Sequence, residues 1–133
     1  MMPLDRALKM LAKAEETLHS AEHDLNGGFT LATANRAYYT VFYCMIALLN
    51  TKELYAKTHS GTHAKFSEHF IKTGEFSITV SDDVALLYKN RQQADYDFET
   101  DLAAENAKTL IFKASQFLQL TKDYFDHLTA DHS

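Results

Sequence analysis

LATANRAYYTVFYCMIALL, from Leu31 to Leu49, is the stretch from which the rest of the chain is read. At 3.6 residues per turn, Leu31, Ala34, Tyr38, Val41, Met45 and Leu48 fall on one apolar line, with Phe42, Ile46 and Leu49 beside it. Tyr39, Tyr43 and Cys44 fill much of what remains, and a helix apolar nearly all round is a buried one. Its length suits a bilayer as well as a protein core, and Asn35 with Arg36 decides between them. An arginine deep in lipid costs at least about 2.5–3.5 kcal/mol, and the sequence offers no aqueous channel for it. The stretch therefore predicts the central helix of a soluble bundle, with its cation held against neighbouring helices.

Working outward, Pro3 suits a first helical turn, and a helix is expected from there to about Asn26. Leu4, Leu8, Leu11, Leu18 and Leu25 give its stripe, and Ala7, Ala14 and Ala21 a small-residue flank for close approach. His19 and His23, four apart beside Glu15 and Glu22, read as a solvated face rather than a metal pair. Gly27-Gly28 reverses the chain, and Thr30 is a candidate cap for the central helix. Beyond a polar connection at Glu53 to Thr58, Ser60 is expected to cap a short helix from His63 to Lys72, ended by Gly74. Glu75 to Val80 reads as irregular, Asp82 to Tyr96 as a fourth helix, and Asp101 to Asp126 as a long fifth. Along the last, Ala103, Ala107, Leu110, Ile111, Ala114, Phe117, Leu118, Thr121, Phe125 and Leu128 form the inner side, widened by Phe112 and Tyr124. The expected fold is all-α: an antiparallel bundle of four main helices plus a short one, in a single domain over 1–133.

A net charge of −5 excludes a broad basic surface for nucleic acid, so any such role needs a local site. The single cysteine, Cys44, lies among apolar neighbours and reads as a buried, inert thiol. No signal-peptide pattern opens the chain, so a cytoplasmic location is expected, with no membrane association. No cysteine or acidic ligand accompanies His59, His63 and His69 at zinc-like spacing, so neither a metal site nor a cofactor is expected.

The informative anomaly is in the fourth helix. Its inward stripe of Val84, Leu87 and Tyr88 continues, one turn on, into Arg91 and then Ala94 and Asp95. Charged groups stand where apolar ones are due, and burying charge is costly unless it is paired or used. Arg36, Tyr39, Arg91, Asp95 and Tyr96 therefore read either as a buried ion pair with tyrosine hydrogen bonds fixing helix register, or as the candidate nucleotide-binding residues, since the guanidinium fork suits phosphate. Arg36 or Tyr39 is expected to meet Asp95. His59 is either a helix-start residue packed on the core or a polar contributor to the same cleft.

Taken together, NRAYYTVFYCMIALL at 35–49, KTHSGTHAKFSEHFIKTGEF at 57–76 and RQQADYDF at 91–98 resemble the HEPN domain family, in its small stand-alone prokaryotic branch. The resemblance implies a bundle of four main helices and a short one, usually as a homodimer. It also implies a toxin–antitoxin or related defence setting, with a minimal nucleotidyltransferase as partner. Catalytic members are metal-independent RNases carrying an arginine followed four to six residues later by a histidine. Arg91 matches that arginine, but Asp95, Tyr96 and Asp97 stand where the histidine is due. Histidine titrates near neutrality, whereas tyrosine at about 10 stays protonated. The candidates for a catalytic role are Arg91, Asp95, Tyr96 and His59, the last recruited from another helix or a partner copy. The reading is of a dimeric, non-enzymatic module that binds a nucleotide or a nucleotidyltransferase. A ribonuclease toxin with a degenerate motif, acting on RNA, and a purely structural interaction protein are the alternatives.

Overall fold

A computed structural model describes residues 3–131, and every regular element within them is helical. The long helices are α1 (Pro3–Asn26), α2 (Thr30–Thr51), α4 (Ile78–Tyr96) and α5 (Ala104–Asp131). A short α3 (His59–Phe66) runs directly into one π-helical turn, Ser67–Ile71. The result is the expected helical bundle of four main helices and a short one.

The α2 helix is its axis and packs against each of the other four. Ala34, Ala37, Tyr38, Val41, Cys44, Met45, Ala47 and Leu48 are completely enclosed. A line from Ala32 and Arg36 through Tyr39 and Tyr43 to Ile46 is covered only in part. Aromatic rings count as apolar in a pattern yet carry a polar tip to the surface, which is why this side reads as buried in the sequence. On α1 the positions wholly enclosed are Ala7, Ala14 and Ala21, while Leu8 is exposed. The small residues expected as a flank thus form the contact line itself, and no side chain holds the helices apart there. Phe66, Phe70, Phe76, Phe117 and Tyr124 make a second aromatic cluster, with ring centroids 5.5 to 6.2 Å apart, joining α3 and the π turn to α5. Lys52 lies 4.2 Å above the Phe70 ring and donates to the His69 carbonyl at 2.7 Å and to Glu75 at 2.6 Å. It ties the end of α2 to the π turn.

Several boundaries differ from the sequence expectation for local reasons. Thr58, not Ser60, caps α3: its hydroxyl accepts from the Gly61 N–H at 2.9 Å, which makes His59 the first helical residue. Ser77 caps α4 by accepting from the Thr79 N–H at 3.1 Å, so that helix starts before Asp82 and absorbs the supposedly irregular Ile78 to Val80. Thr30 is the first residue of α2, whose N-cap position is Phe29. The α5 helix begins at Ala104 and reaches Asp131, leaving Ala103 ahead of it, and Phe112 projects outward at 62% exposure.

Both α1 and α2 end in the same backbone motif. The Phe29 N–H returns to the Asp24 carbonyl and Gly28 to Leu25, as Leu54 returns to Leu49 and Glu53 to Asn50. The motif needs a left-handed residue at its fifth position. Gly28 takes it at φ 82°, but Glu53 takes it at φ 58° with a side chain that incurs a steric penalty. Glu53→Gly is expected to stabilise the fold by about 0.5–1 kcal/mol, read as a raised urea midpoint with an unchanged m-value.

Candidate functional site

The site starts from one polar atom on the enclosed face of α2. The Tyr38 side chain is fully buried, so its hydroxyl needs partners inside the protein. His59 and His63 sit four residues apart on one face of α3 and supply both. Tyr38 Oη lies 3.0 Å from His59 Nδ1 and 2.8 Å from His63 Nε2. Phe42 stacks on the His59 ring at 4.3 Å and 11°, and Tyr88 of α4 meets His63 edge-on at 5.3 Å. These contacts fix the plane of each imidazole.

The neighbouring Tyr39 reaches α4 instead, where its hydroxyl accepts from Arg91 Nη2 at 3.0 Å. The Arg91 side chain is only 12% exposed. Its guanidinium lies 5.4 Å from the Tyr39 and Tyr96 ring centroids and 5.9 Å from that of Tyr38. Asp95 Oδ2 approaches Arg91 Nε at 2.9 Å and also accepts from Asn35 Nδ2 at 2.9 Å. That ion pair is not an aligned hydrogen bond, since Arg91 Nε–H has no acceptor on its axis among the described residues.

Two openings flank this core. A pocket of about 250 Å³ is lined by His59, Ser60, His63 and Tyr88. A shallower groove of about 620 Å³ runs past Ser20, Asp24, Asn35, Arg36 and Asp95. The electrostatics of the inner site favour neutral imidazoles beside a fixed cation. Burial, with the Arg91 charge, holds His59 below the usual histidine range, and burial, with His59 alongside, does the same to His63. Burial pushes the Tyr38 phenol upward, so it keeps its proton. The Arg91 charge resists its own burial because Tyr39, Tyr96 and Asp95 offset the desolvation. Hydrogen-bond donors and one permanent positive charge suit an anion, and Arg91 works against a metal cation at the two imidazoles.

Of the residues singled out in the sequence, Tyr39, Arg91, Asp95, Tyr96 and His59 come together. Arg36 does not join them. It is exposed, lines the outer groove and makes no ion pair among the described residues, and it is Asn35 that meets Asp95. The cation expected against neighbouring helices therefore faces outward, because Asn35 and Arg36 diverge by about 100° around the helix. Tyr38, His63 and Tyr88 also belong to the site: the sequence sets Tyr38 beside Tyr39 and His63 after His59 as polar interruptions but does not join them, and it reads Tyr88 as core-facing. Their signal is the pairing of a four-residue histidine spacing with a phenol hydroxyl on the enclosed face of α2. Cys44 is enclosed, and burial pushes its thiol up to about 12, as befits an inert packing group.

Comparison with known proteins adds a family to this geometry. Residues 7–124 match the family model described as HEPN domain. A protein of Methanocaldococcus jannaschii bearing the name "Putative toxin" is 40% identical over 116 residues, covering 87% of this chain and 79% of its own. A Thermotoga maritima protein named "UPF0332 protein" is 32% identical over 116 residues, covering 87% and 88%. A second M. jannaschii protein, also named "Putative toxin", is 30% identical over 109 residues, covering 82% and 81%.

The histidine shifts have a pH consequence with a definite sign. A histidine whose folded pKa lies below its unfolded value of about 6.5 binds fewer protons when folded, so its contribution is complete above pH 6.5 and is lost as pH falls through that window. The melting temperature is expected to drop between pH 7 and pH 5. A His59→Gln/His63→Gln double variant, followed by circular dichroism, is expected to show a flatter dependence over that interval.

Proposed function

The chain belongs to the HEPN domain family, and from that premise we propose that it is a toxin-type module that grips a phosphate of a nucleotide or of single-stranded RNA beside Arg91. The observation that carries this reading is the enclosure of Arg91 among Tyr38, Tyr39 and Tyr96 next to two neutral imidazoles, with Asp95 as its single carboxylate among the described residues. Such a set offers an anion several donors and a stacking surface for a base. Arg36, in the adjoining groove, offers the strand a second phosphate contact. The relatives named as toxins support the setting, in which a partner protein, a nucleotidyltransferase on the family resemblance, restrains the module.

A second reading, ribonuclease action, gains from one specific observation. The histidine missing after Arg91 has counterparts in His59 and His63, which α3 brings against Tyr38 within the field of Arg91. Both readings use a homodimer. Its support is apolar surface without cover in one chain: Phe98 at 96% exposure, with Phe29 and Tyr96, and Phe112 and Leu120 on α5. Light scattering at micromolar concentration is expected to give twice the chain mass, and a monomer there refutes the dimer.

The binding reading is tested by fluorescence anisotropy with a labelled single-stranded RNA across salt concentrations. One or two phosphate contacts give a slope of log K against log salt of about −0.7 to −1.4. Arg91→Ala is expected to lower affinity at least tenfold. Exposed Arg36→Ala, which spares the core, is expected to reduce the slope by about 0.7. If both variants melt like the parent and bind like it, the site has been misassigned.

A further inference from the structure

We infer that Tyr38 couples His59 and His63 into one proton relay, which serves phosphodiester cleavage of RNA in the pocket those histidines line; this rests on the RNA-phosphate reading above. A phenol holds one proton, and two imidazole nitrogens lie within hydrogen-bond distance of Tyr38 Oη, at 3.0 and 2.8 Å. Tyr38 can donate to only one of them. The other neutral ring must turn an N–H toward the phenol oxygen, or two lone pairs would face each other in a buried place.

The tautomers are therefore linked. When Tyr38 donates to His59 Nδ1, His59 carries its proton on Nε2, and His63 donates from Nε2 and leaves Nδ1 as a bare acceptor. When Tyr38 donates to His63 Nε2, both rings carry Nδ1–H, and His59 Nε2 is the acceptor. In either arrangement the pair presents one acceptor and one donor on the ring nitrogens that do not touch Tyr38. Those two nitrogens have no protein partner among the described residues, and both rings line the pocket with Ser60 and Tyr88.

Passing a proton along the chain interconverts the two arrangements, and that passage fits transesterification of RNA. His63 Nδ1 takes the proton of a ribose 2′-hydroxyl as that oxygen attacks the adjacent phosphorus. The Nε2 proton of His63 moves to Tyr38 Oη as the phenol proton moves to His59 Nδ1. His59 Nε2–H protonates the 5′-oxygen as its bond to phosphorus breaks. One P–O bond forms and one breaks, the products are a 2′,3′-cyclic phosphate and a 5′-hydroxyl, and the relay is left in its second arrangement. Exchange with water, or reversed placement of the next substrate, resets it. Arg91 supplies positive potential where charge builds on the phosphorane oxygens. His59 and His63 are then the catalytic residues and Tyr38 a positioning one. Neutral histidines and a protonated phenol are the states the relay requires, and both match the directions in which burial moves these groups.

The test uses the purified full chain, a short single-stranded RNA, and the same sequence fully 2′-O-methylated as an uncleavable probe of binding. The expected products, by mass spectrometry, are 2′,3′-cyclic phosphate and 5′-hydroxyl ends, with the methylated strand bound but intact. The rate is expected to be flat above pH 6.5 and to fall along one limb below it. His59→Gln and His63→Gln are each expected to cost about 10²–10⁴ in rate, a far larger loss than the same variants show in binding the methylated strand. Nitrogen-15 spectra of the imidazoles are expected to show His59 and His63 in the same tautomer, and in independent tautomers in Tyr38→Phe. Binding of the methylated strand without cleavage of RNA overturns the relay and leaves the phosphate site standing. Failure of the parent to bind that strand overturns the phosphate site. Cleavage that survives either histidine variant, or tautomers unlinked in the parent, overturns the relay.

Discussion

Two adjacent tyrosine hydroxyls on α2, whose buried Thr33 and Thr40 hydroxyls bond back to their own chain, set the terms for everything packed against it. An unmatched buried hydroxyl costs about 1–3 kcal/mol, so the neighbours of α2 must present polar groups at fixed places. Successive residues on a helix point about 100° apart, and so Tyr38 and Tyr39 bind different elements. Tyr38 takes the histidines of α3, and Tyr39 takes Arg91 of α4. The short α3, eight residues long, is below the length at which a helix is stable in isolation. It is held by Thr58 at its start, by ring stacking on Phe42, and by the aromatic cluster at its end.

The Arg91–Asp95 pair is a poor candidate for a stabilising device. A partly enclosed ion pair gives back in attraction about what it costs in lost hydration, and apolar residues of similar size often do better. Here the geometry is not even optimal, since Nε faces no aligned acceptor. What the pair secures is position. Asp95 joins Arg91 to Asn35 and so links the end of α4 to the start of α2. A cation kept with one imperfect counter-ion is held in place yet is incompletely satisfied.

How much of this the sequence discloses differs from residue to residue. The centrality of α2 is legible because burial on most sides leaves a dense apolar signature that no surface helix carries. Arg91 and Asp95 are legible because they break an apolar stripe at positions where its continuation is due. The start of α3 is not, because Thr58 and Ser60 are both good caps and only the Gly61 N–H chooses between them. Arg36 reads as inward because a buried-helix pattern assigns burial to the whole window at once, while exposure is decided one side chain at a time. The Tyr38–His59–His63 contact joins residues 21 and 25 apart, and periodicity within one helix carries no information about which face of another helix it meets. Tyrosine also hides its polar atom behind an apolar ring, so Tyr38 looks like core, which its ring is.

The overall acidity of the chain then bears on how such a site would work. At −5, the molecule as a whole repels a polyanion, so no long-range attraction gathers RNA over its surface. Any affinity must come from short-range contacts at a place where the local sign is reversed, and such contacts are few because the positive groups there are few. Recognition on those terms favours a single-stranded segment that can turn one phosphate inward and lay a base against an aromatic ring, over a duplex read along its backbone. On the proposed reading Asp95 is the protein's own anion at the site. An incoming phosphate meets a guanidinium already oriented by Tyr39, and competes with a carboxylate that Asn35 also holds. The arriving charge therefore contends for a guanidinium that the fold already holds in place.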